Sequence, residues 1–338
     1  MSSSKILQYI WLDSVGRFRN KIRVEDAANS PPDWNYDGSS TGQAVGHDSD
    51  IILRPRCVFV NPLFSHPASL VVCDTYDKNG QPLPNNHRAK AAALFDELKH
   101  EEPWFGLEQE YFLIDRKTGR PLGFPANVRE NPEPQGKYYC SIFNKGRAIA
   151  EEHLEACLKA NIKIAGINQE VCLGQHEFQL GVCAGIEAGD HMMAARFLLE
   201  CIADKHGVDV DLSPKPIKGD WNGSGCHINF SSKRTRCGAD GLSGLDHIKI
   251  AMERLEARHL EHMEVYGEGN SERLTGHHET ARYDQFSWGV ADRGASVRIG
   301  RDTIEKGYGY FEDRRAAANI DGYLATAKLF STVIDRDY

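Results

Sequence analysis

Two glutamates stand two positions apart in the apolar segment GLEQEYFL, residues 106–113. Successive side chains of a β-strand point to opposite faces, so Glu108 and Glu110 would lie on the same face of a strand. Two buried, unpaired anions side by side on a sheet are costly. The pattern therefore predicts either a positive group between the two carboxylates or a proton held on one of them.

Further acids and a histidine occur in segments with the same alternation. In NQEVCLGQHEFQLG, Glu170 and Glu177 flank Gly174, and a hairpin turn there would bring the two carboxylates to neighbouring positions. In GSGCHINFS one face carries His227, Asn229 and Ser231, and in GYGYFEDRR one face carries Tyr310, Glu312 and Arg314. Each of these segments is apolar on its other face.

Carboxylates with few imidazoles are the donors that hard divalent cations such as Mg²⁺ or Mn²⁺ prefer. Six such donors exceed what one ion can hold beside water and phosphate, so we expect two or three ions. Any one of these side chains taken alone is more often solvated or salt-bridged. The set indicates a metal site because all its members lie on apolar-backed strands: Glu108, Glu110, Glu170, Glu177, His227 and Glu312.

Seven arginines follow within residues 273–315: Arg273, Arg282, Arg293, Arg298, Arg301, Arg314 and Arg315. The planar arginine fork matches carboxylate and phosphate, and beside metals it stabilises charge during phosphoryl transfer. Some of these arginines are expected on the surface. An acidic metal cluster accompanied by arginines predicts an anionic, phosphate-bearing substrate, and ATP is the simplest hypothesis. The chain has no G-x-x-x-x-G-K-[ST] or G-x-G-x-x-G phosphate loop.

Composition is that of a globular protein, with 338 residues, 41% hydrophobic and 26% charged. A net charge of -8 predicts no general affinity for nucleic acid. We also expect no membrane partner, because no apolar run approaches the roughly 18 residues of a span. The nine cysteines include no C-x-x-C pair and are expected to be reduced thiols. The first residues resemble neither a signal peptide nor a transit peptide, so we expect a cytoplasmic protein.

The pattern of elements predicts an α+β protein. Short β-branched and aromatic runs separated by Gly, Asn, Ser and Pro fill the first hundred residues. A helix is predicted to open near Asn85 or Asn86, and strands alternate with helices from about residue 104 onward. The helical candidates are residues 145–160, 188–206 and 244–264.

Six segments resemble glutamine synthetase of the eukaryotic type, or type II, in order through nearly the whole chain. They are WNYDGSSTGQA (34–44), GLEQEYFL (106–113), NGSGCHINFS (222–231), RLTGHHET (273–280), FSWGVADRGASVRIGR (286–301) and GYFEDRRAAANIDGY (309–323). The resemblance implies ligation of glutamate and ammonia to glutamine through γ-glutamyl phosphate, with ATP as co-substrate. It also implies a β-grasp N-terminal domain (1–85) and a catalytic domain (86–338) with a curved antiparallel sheet and flanking helices. Active sites would lie between adjacent subunits of a homo-oligomer, a decamer of two pentameric rings.

The resemblance implies a role for each matching residue. Glu108, His227 and Glu312 would bind one metal beside the nucleotide phosphates, and Glu110, Glu170 and Glu177 would bind another beside the substrate carboxylate. Arg273 resembles the residue that holds the α-carboxylate of glutamate, and Asn222 and Gly223 resemble the segment that receives the amino acid. The transferring phosphoryl group would meet Arg293 and Arg314. The nucleotide pocket would contain Asn229, Ser231, Arg236, Arg298 and Tyr310.

Two acids complete the implied mechanism. Asp37, in the sequence YDGSS, resembles the acid of a neighbouring subunit that binds ammonium and removes a proton, which frees the nitrogen lone pair for attack. Glu279, in HHET, resembles the flap glutamate that closes over the acyl phosphate and keeps water from hydrolysing it.

Several positions depart from the family pattern. Cys172 and Leu173 stand where Met-Pro is usual, His176 where Trp is frequent, and Asp292 where Asn is usual beside Arg293. The segment of residues 127–148 is lengthened before Tyr138 and shortened after Cys140, so no substrate contact is assigned to it. The first residues lack the leading helix common in the family, which leaves the ring stacking open.

Two alternatives remain open on the sequence. A ligase that γ-glutamylates a larger amine, such as a polyamine, would keep the metal and ATP residues and alter the ammonium site, but Asp37 and Glu279 are intact. A catalytically dead scaffold would be expected to lose metal ligands, yet all six are present.

Overall fold

The computed structural model describes residues 4–127, 132 and 135–338. Within this part of the chain the first sheet has five strands in the order β2-β1-β5-β4-β3. Their bounds are β1 Ser4–Leu12, β2 Phe18–Asp26, β3 Trp34–Asp37, β4 Asp50–Val60 and β5 Ala68–Tyr76. Strands β1 and β5 are parallel, and the other pairs are antiparallel. The predicted β-rich start of the chain is confirmed by these strands.

The second sheet is curved and has nine strands among the described residues, with the main order β12-β13-β14-β11-β6-β9-β8. Strands β7 and β10 both pair with the far end of β6. The bounds are β6 Trp104–Asp115, β7 Arg120–Pro121, β8 Ile164–Gln169, β9 Gln175–Ala184, β10 Val208–Asp211, β11 Cys226–Ser231, β12 Trp288–Val290, β13 Val297–Ile299 and β14 Phe311–Asp313. The long β6, which carries Glu108 and Glu110, therefore lies between β11 and β9.

Helices flank this second sheet. They are α1 His87–Glu97, α2 Arg147–Lys159, α3 Glu187–Lys205, α4 Lys233–Cys237, α5 Gly244–Ala257, α6 His259–Val265, α7 Arg301–Lys306 and α8 Gly322–Val333. The predicted start near Asn86 is confirmed, since the side chain of Asn86 accepts a hydrogen bond from the Ala89 N–H and so caps α1. The helices predicted over 145–160 and 188–206 are confirmed as α2 and α3.

The single helix predicted over 244–264 is wrong, because the chain breaks at Arg258 into α5 and α6. The Arg258 guanidinium donates to Asp335 Oδ1 and to the Arg336 carbonyl, both at 2.9 Å. The ring of the next residue, His259, contacts the Tyr283 carbonyl at 2.9 Å. Tertiary contacts to the C-terminal segment thus accompany a bend that local periodicity does not reveal.

The main hydrophobic core lies between the nine-stranded sheet and helices α2, α3, α5 and α8. Phe105 and Phe230 on adjacent strands have ring centroids 5.3 Å apart, and Phe95 of α1 stacks on Phe330 of α8 at 5.6 Å. These apolar faces hold the strands rigidly, so the polar side chains on the opposite face have fixed positions. No helix in the described ranges is long and apolar enough to cross a membrane.

The chain between β7 and α2 contains the segment that departs from the family pattern. Its residues 128–131 and 133–134 lie outside the described part of the chain. From residue 135 onward the segment packs against the β8–β9 turn, since the Gly136 N–H donates to the Val171 carbonyl at 2.8 Å.

Candidate active site

Three adjacent strands bring together a histidine and two glutamates. Glu108 on β6 lies opposite His227 on β11, and Glu312 on β14 lies opposite Asn229, two residues further along β11. His227 Nδ1 is 3.3 Å from Glu108 Oε2 and 3.3 Å from Glu312 Oε1. One ligand atom from each of Glu108, His227 and Glu312 lies within 4.8 Å of the other two, which is a spacing that could hold a metal ion.

His227 is also the positive group predicted between the first two glutamates. Its Nε2 lies 3.9 Å from Glu110 Oε1, while its Nδ1 faces Glu108. Burial and the nearby Arg314 oppose its protonation, but the hydrogen bonds to Glu108 and Glu312 outweigh them and raise the pKa of His227 to about 9. In the ion-free protein the imidazolium thus offsets carboxylate charge.

The pKa of Glu312 is shifted in the direction opposite to that of His227. Burial favours its neutral form, yet the hydrogen bond to His227 and the charges of Arg314 and Arg298 lower its pKa to about 2. Arg314 Nη1 donates to Glu312 Oε1 at 2.6 Å, and Arg298 Nη1 lies 3.1 Å from Glu312 Oε2. This carboxylate is therefore an anion at neutral pH, held by two arginines and a histidine.

A second acidic cluster lies beside the first. Glu110 is opposite Glu177 in the β6–β9 register, and Glu170 directly follows β8. The predicted hairpin at Gly174 is confirmed: its φ is +79°, and an added Cβ would lie 2.9 Å from backbone atoms of Leu122, so only glycine fits.

The second cluster has too little positive charge. Burial, followed by the charges of Glu110 and Glu177, raises the pKa of Glu170 to about 8. Burial, Glu110 and Glu108 likewise raise the pKa of Glu177 to about 7. Desolvation and the repulsion between neighbouring carboxylates both favour the protonated form. A cation bound among them would remove that repulsion, so the residues fit a divalent metal.

Both clusters open into one cleft of about 560 Å³. Twelve of the eighteen predicted site residues line it: Glu108, Glu110, Glu170, Glu177, Asn222, Gly223, His227, Arg273, Glu279, Arg293, Arg298 and Arg314. Glu312 lies beneath it, in contact with His227 and two arginines. Asn229 also belongs here, since its Nδ2 donates to Glu108 Oε1 at 2.7 Å.

Arg273 is buried at the floor of this cleft. Its Nη2 donates to the Arg314 carbonyl at 3.1 Å and lies 3.2 Å from His227 Nε2. An added Cβ at Gly223 would lie 2.8 Å from Arg273 Cγ, so the glycine allows the two segments to approach closely. Burial lowers the pKa of Arg273 to about 10, which leaves the guanidinium charged at neutral pH.

Three predicted nucleotide-pocket residues lie outside the cleft lining, near the end of β11. Arg236 Nη1 donates to Ser231 Oγ at 3.0 Å, and the Arg236 guanidinium stacks 3.6 Å from the Trp104 ring centroid. Tyr310 is half exposed. Ser231 is buried, whereas Trp104, which the sequence did not single out, is partly exposed beneath the Arg236 guanidinium.

Asp37 is the predicted residue that the fold places apart from the others. It ends β3 of the five-stranded sheet and caps the short 3₁₀ helix Gly38–Thr41. The hydroxyl groups of Ser39 and Ser40 each donate to its carboxylate at 2.6 Å. These hydrogen bonds lower the pKa of the exposed Asp37 carboxyl. Within the described chain it is not among the cleft-lining residues.

Two amides in the cleft were missed by the sequence interpretation. Gln179 donates to Glu177 Oε1, and Asn168 Nδ2 donates to Glu170 Oε1 at 2.9 Å. Asn168 stands two residues before Glu170 and Gln179 two residues after Glu177, so the same alternation could have found them. They orient the second cluster's carboxylates.

The two thiols near the cleft, Cys172 and Cys226, are buried. Burial raises the pKa of Cys172 and of Cys226 to about 12 in each case, so both are poor nucleophiles at neutral pH. His176, which stands where Trp is frequent in the family, is also buried. Its ring stacks on Tyr111, and its Nε2 lies 2.7 Å from the Lys145 carbonyl.

Comparison with known proteins relates the chain to one family. The family described as glutamine synthetase, catalytic domain, matches residues 84–239. The chain is 52% identical to a chloroplastic glutamine synthetase of Brassica napus, covering 97% of this chain and 78% of that protein. It is 50% identical to a cytosolic glutamine synthetase isozyme of Pinus sylvestris, over 97% and 93% of the two chains. A putative glutamine synthetase of Acanthamoeba polyphaga mimivirus is 47% identical, over 99% and 96%.

Proposed function

This chain belongs to the glutamine synthetase family, and we propose that its acidic cleft is where glutamate and ammonia are joined. The reaction of the family forms glutamine through γ-glutamyl phosphate and releases ADP and phosphate. The observation that supports the cleft as the site is the meeting of two carboxylate clusters with arginines in one cavity.

We assign two to three Mg²⁺ or Mn²⁺ ions to the two clusters. Glu108, His227 and Glu312 would hold one ion, and Glu110, Glu170 and Glu177 would hold another. The excess negative charge of the second cluster supports this assignment. When bound, such ions supply Lewis-acid stabilisation of phosphate charge. Binding would also require His227 to give up the proton that it holds in the ion-free protein.

The substrates are assigned around these clusters. Arg273, beside Asn222 and Gly223, would receive the carboxylate and amino groups of glutamate at the cleft floor. The exposed Arg293 and the buried Arg314 would contact the transferring phosphoryl group. The ATP phosphates would reach Arg298, and the adenine nucleotide would extend over Asn229, Ser231, Arg236 and Tyr310.

The need for ATP follows from the low reactivity of the glutamate side-chain carboxylate towards ammonia. A carboxylate resists attack by ammonia because oxide or hydroxide would have to leave. Transfer of the γ-phosphoryl of ATP to the glutamate side chain provides phosphate as the leaving group, and arginines offset charge while it moves. Ammonia then attacks the carbonyl carbon and the C–O bond to phosphate breaks. Glu279, at the cleft, would shield this intermediate from water.

Asp37 would serve the cleft of an adjacent subunit, where it would bind ammonium and accept its proton. This role requires a homo-oligomer, and we propose a decamer of two pentameric rings. The chain would divide into a β-grasp domain over residues 1–85, which carries Asp37, and a catalytic domain over residues 86–338. A cytoplasmic location is also proposed; relatives are named both cytosolic and chloroplastic.

The test is phosphate release from ATP with Mg²⁺ and glutamate, with and without ammonium, while glutamine is followed by mass. We expect ammonium-dependent phosphate matched one-to-one by glutamine. Turnover only with a bulkier amine would support a γ-glutamyl–polyamine ligase instead. Absence of turnover with every amine would support a scaffold protein and contradict the proposed site.

A further inference from the structure

The backbone around Glu279 is held in an unusual conformation. His278 and Glu279 have φ values of +55° and +59°, so two consecutive non-glycine residues occupy the left-handed region. Residues with side chains rarely adopt this conformation, and it persists where surrounding contacts hold it. The flap, defined here as residues 277–280, must therefore be fixed by its neighbours.

One set of contacts fixes the flap on the arginine side. Arg314 Nη2 donates to the Glu279 carbonyl at 3.2 Å. Thr280 Oγ1 contacts the Arg273 carbonyl at 3.2 Å and the His277 carbonyl at 2.8 Å. These contacts anchor the flap backbone to residues at the cleft floor.

A second set acts through the His278 ring. His278 Nε2 lies 2.8 Å from Asp220 Oδ1, and its Nδ1 lies 3.2 Å from Gln135 Nε2. Gln135 Oε1 in turn accepts from the Asn222 backbone N–H at 2.8 Å and from Cys172 Sγ at 3.1 Å. The amide oxygen of Gln135 thus already faces two donors.

This network determines which atoms donate. Because Gln135 Oε1 accepts from Asn222 and Cys172, its amide nitrogen faces His278 and donates to Nδ1. The ring therefore accepts at Nδ1 and donates from Nε2 to Asp220. His278 is connected through a single side chain to the Asn222 segment that we assign to glutamate binding.

We propose that His278 is a positioning residue for the flap: its hydrogen bonds to Gln135 and Asp220 hold Glu279 over the cleft while γ-glutamyl phosphate is present. The inference rests on the proposed function, since it concerns the same cleft. We call these two hydrogen bonds of His278 the latch. Without the latch, water would reach the acyl phosphate. Its oxygen would attack the carbonyl carbon, the C–O bond to phosphate would break, and glutamate and phosphate would form without glutamine.

The experiment measures the ratio of phosphate to glutamine in the full-length, metal-loaded enzyme. We expect His278→Ala to raise this ratio from about one to at least about two and to lower kcat for glutamine by about tenfold, because closure both shields and aligns the intermediate. His277→Ala is the matched control, because its exposed side chain is adjacent and outside the network. That variant should keep a ratio of one.

Two further variants separate the latch from the backbone strain. His278→Gly accepts a positive φ but has no ring, so this variant should still release more phosphate than it forms glutamine. His278→Asn tolerates the same φ and offers Oδ1 as an acceptor to Gln135, so it should recover much of the coupling. Hydrogen exchange of the peptide around residues 276–282 should be faster in the Ala and Gly variants, and exchange of the remaining peptides should show whether each variant is otherwise folded.

A one-to-one ratio in folded His278→Ala and His278→Gly would overturn the latch. Full coupling in His278→Gly alone would also overturn it, because backbone conformation would then suffice. Both results presuppose a wild type that makes glutamine. A wild type without ammonium-dependent glutamine would instead contradict the proposed function, so the two failures are distinguishable.

Discussion

Replacing Glu170 with glutamine should make the metal-free protein more stable while weakening its response to metal. Glu170 is partly buried beside Glu110 and Glu177, and these surroundings raise its pKa from 4.5 to about 8. A carboxyl whose pKa is higher in the folded state binds protons that the unfolded chain has released. The Glu170 carboxyl therefore lowers the free energy of unfolding increasingly as pH rises from about 4.5 to 8.

The magnitude follows from this pKa difference. Linkage gives a cost of about 2 kcal/mol at pH 6 and about 4 kcal/mol at pH 8 for the Glu170 carboxyl in the ion-free protein. Glutamine has nearly the same shape and no charge, so Glu170→Gln should remove this cost. The difference in unfolding free energy between variant and wild type should thus grow by about 2 kcal/mol between these two pH values.

The assay is urea denaturation at pH 6 and pH 8, first with chelator and then with Mn²⁺. Mn²⁺ should stabilise the wild type more than the variant, because binding to the folded state shifts the equilibrium in proportion to affinity. The exposed Glu305→Gln serves as the matched control and should match the wild type in every condition. If Glu170→Gln is less stable than wild type in chelator and responds fully to Mn²⁺, the carboxylate repulsion is refuted as the basis of the site.

Three further predictions concern separate parts of the molecule. Arg293→Ala should lower kcat by about 100-fold with little change in the KM for ATP, because its charge is needed as the phosphoryl moves; steady-state kinetics showing only a raised KM would remove it from that step. Asp37→Ala should lower kcat/KM for ammonium by about 100-fold and leave ATP-induced thermal stabilisation intact; unchanged ammonium kinetics would contradict its assignment. Burial lowers the pKa of His153 from 6.5 to about 4. The stability that depends on a neutral His153 ring is therefore fully present above pH 6.5 and is lost as pH falls towards 4. Between pH 7.5 and pH 5 the free energy of unfolding should fall by about 2 kcal/mol from this residue, and His153→Gln should flatten the urea-denaturation profile by that amount.

The sequence predicted which face of each strand carries the acids, but it did not predict which residues lie opposite each other on adjacent strands. Alternation puts His227 and Asn229 on one face of β11, and the structure agrees. That His227 lies opposite Glu108, and Asn229 opposite Glu312, depends on sheet register over more than eighty residues of chain. Register depends on the apolar faces that pack together and on the connections between strands, and the alternation within one strand does not identify the residue opposite it. The amides Asn168 and Gln179 are a different case, because each stands two residues from a predicted acid and the alternation of the strand places it on the same face.

The position of Asp37 explains why the proposed mechanism requires a second subunit. In a single chain its carboxylate is exposed and accepts hydrogen bonds from Ser39 and Ser40, which hold its pKa low. Such a carboxylate attracts ammonium but is a weak base towards it. Covering the same turn with a neighbouring chain would remove Asp37 from water, and desolvation raises the pKa of a carboxyl. The residue would therefore become a competent proton acceptor only on assembly, so an isolated subunit would retain the metal and ATP residues and still lack the means to activate ammonium.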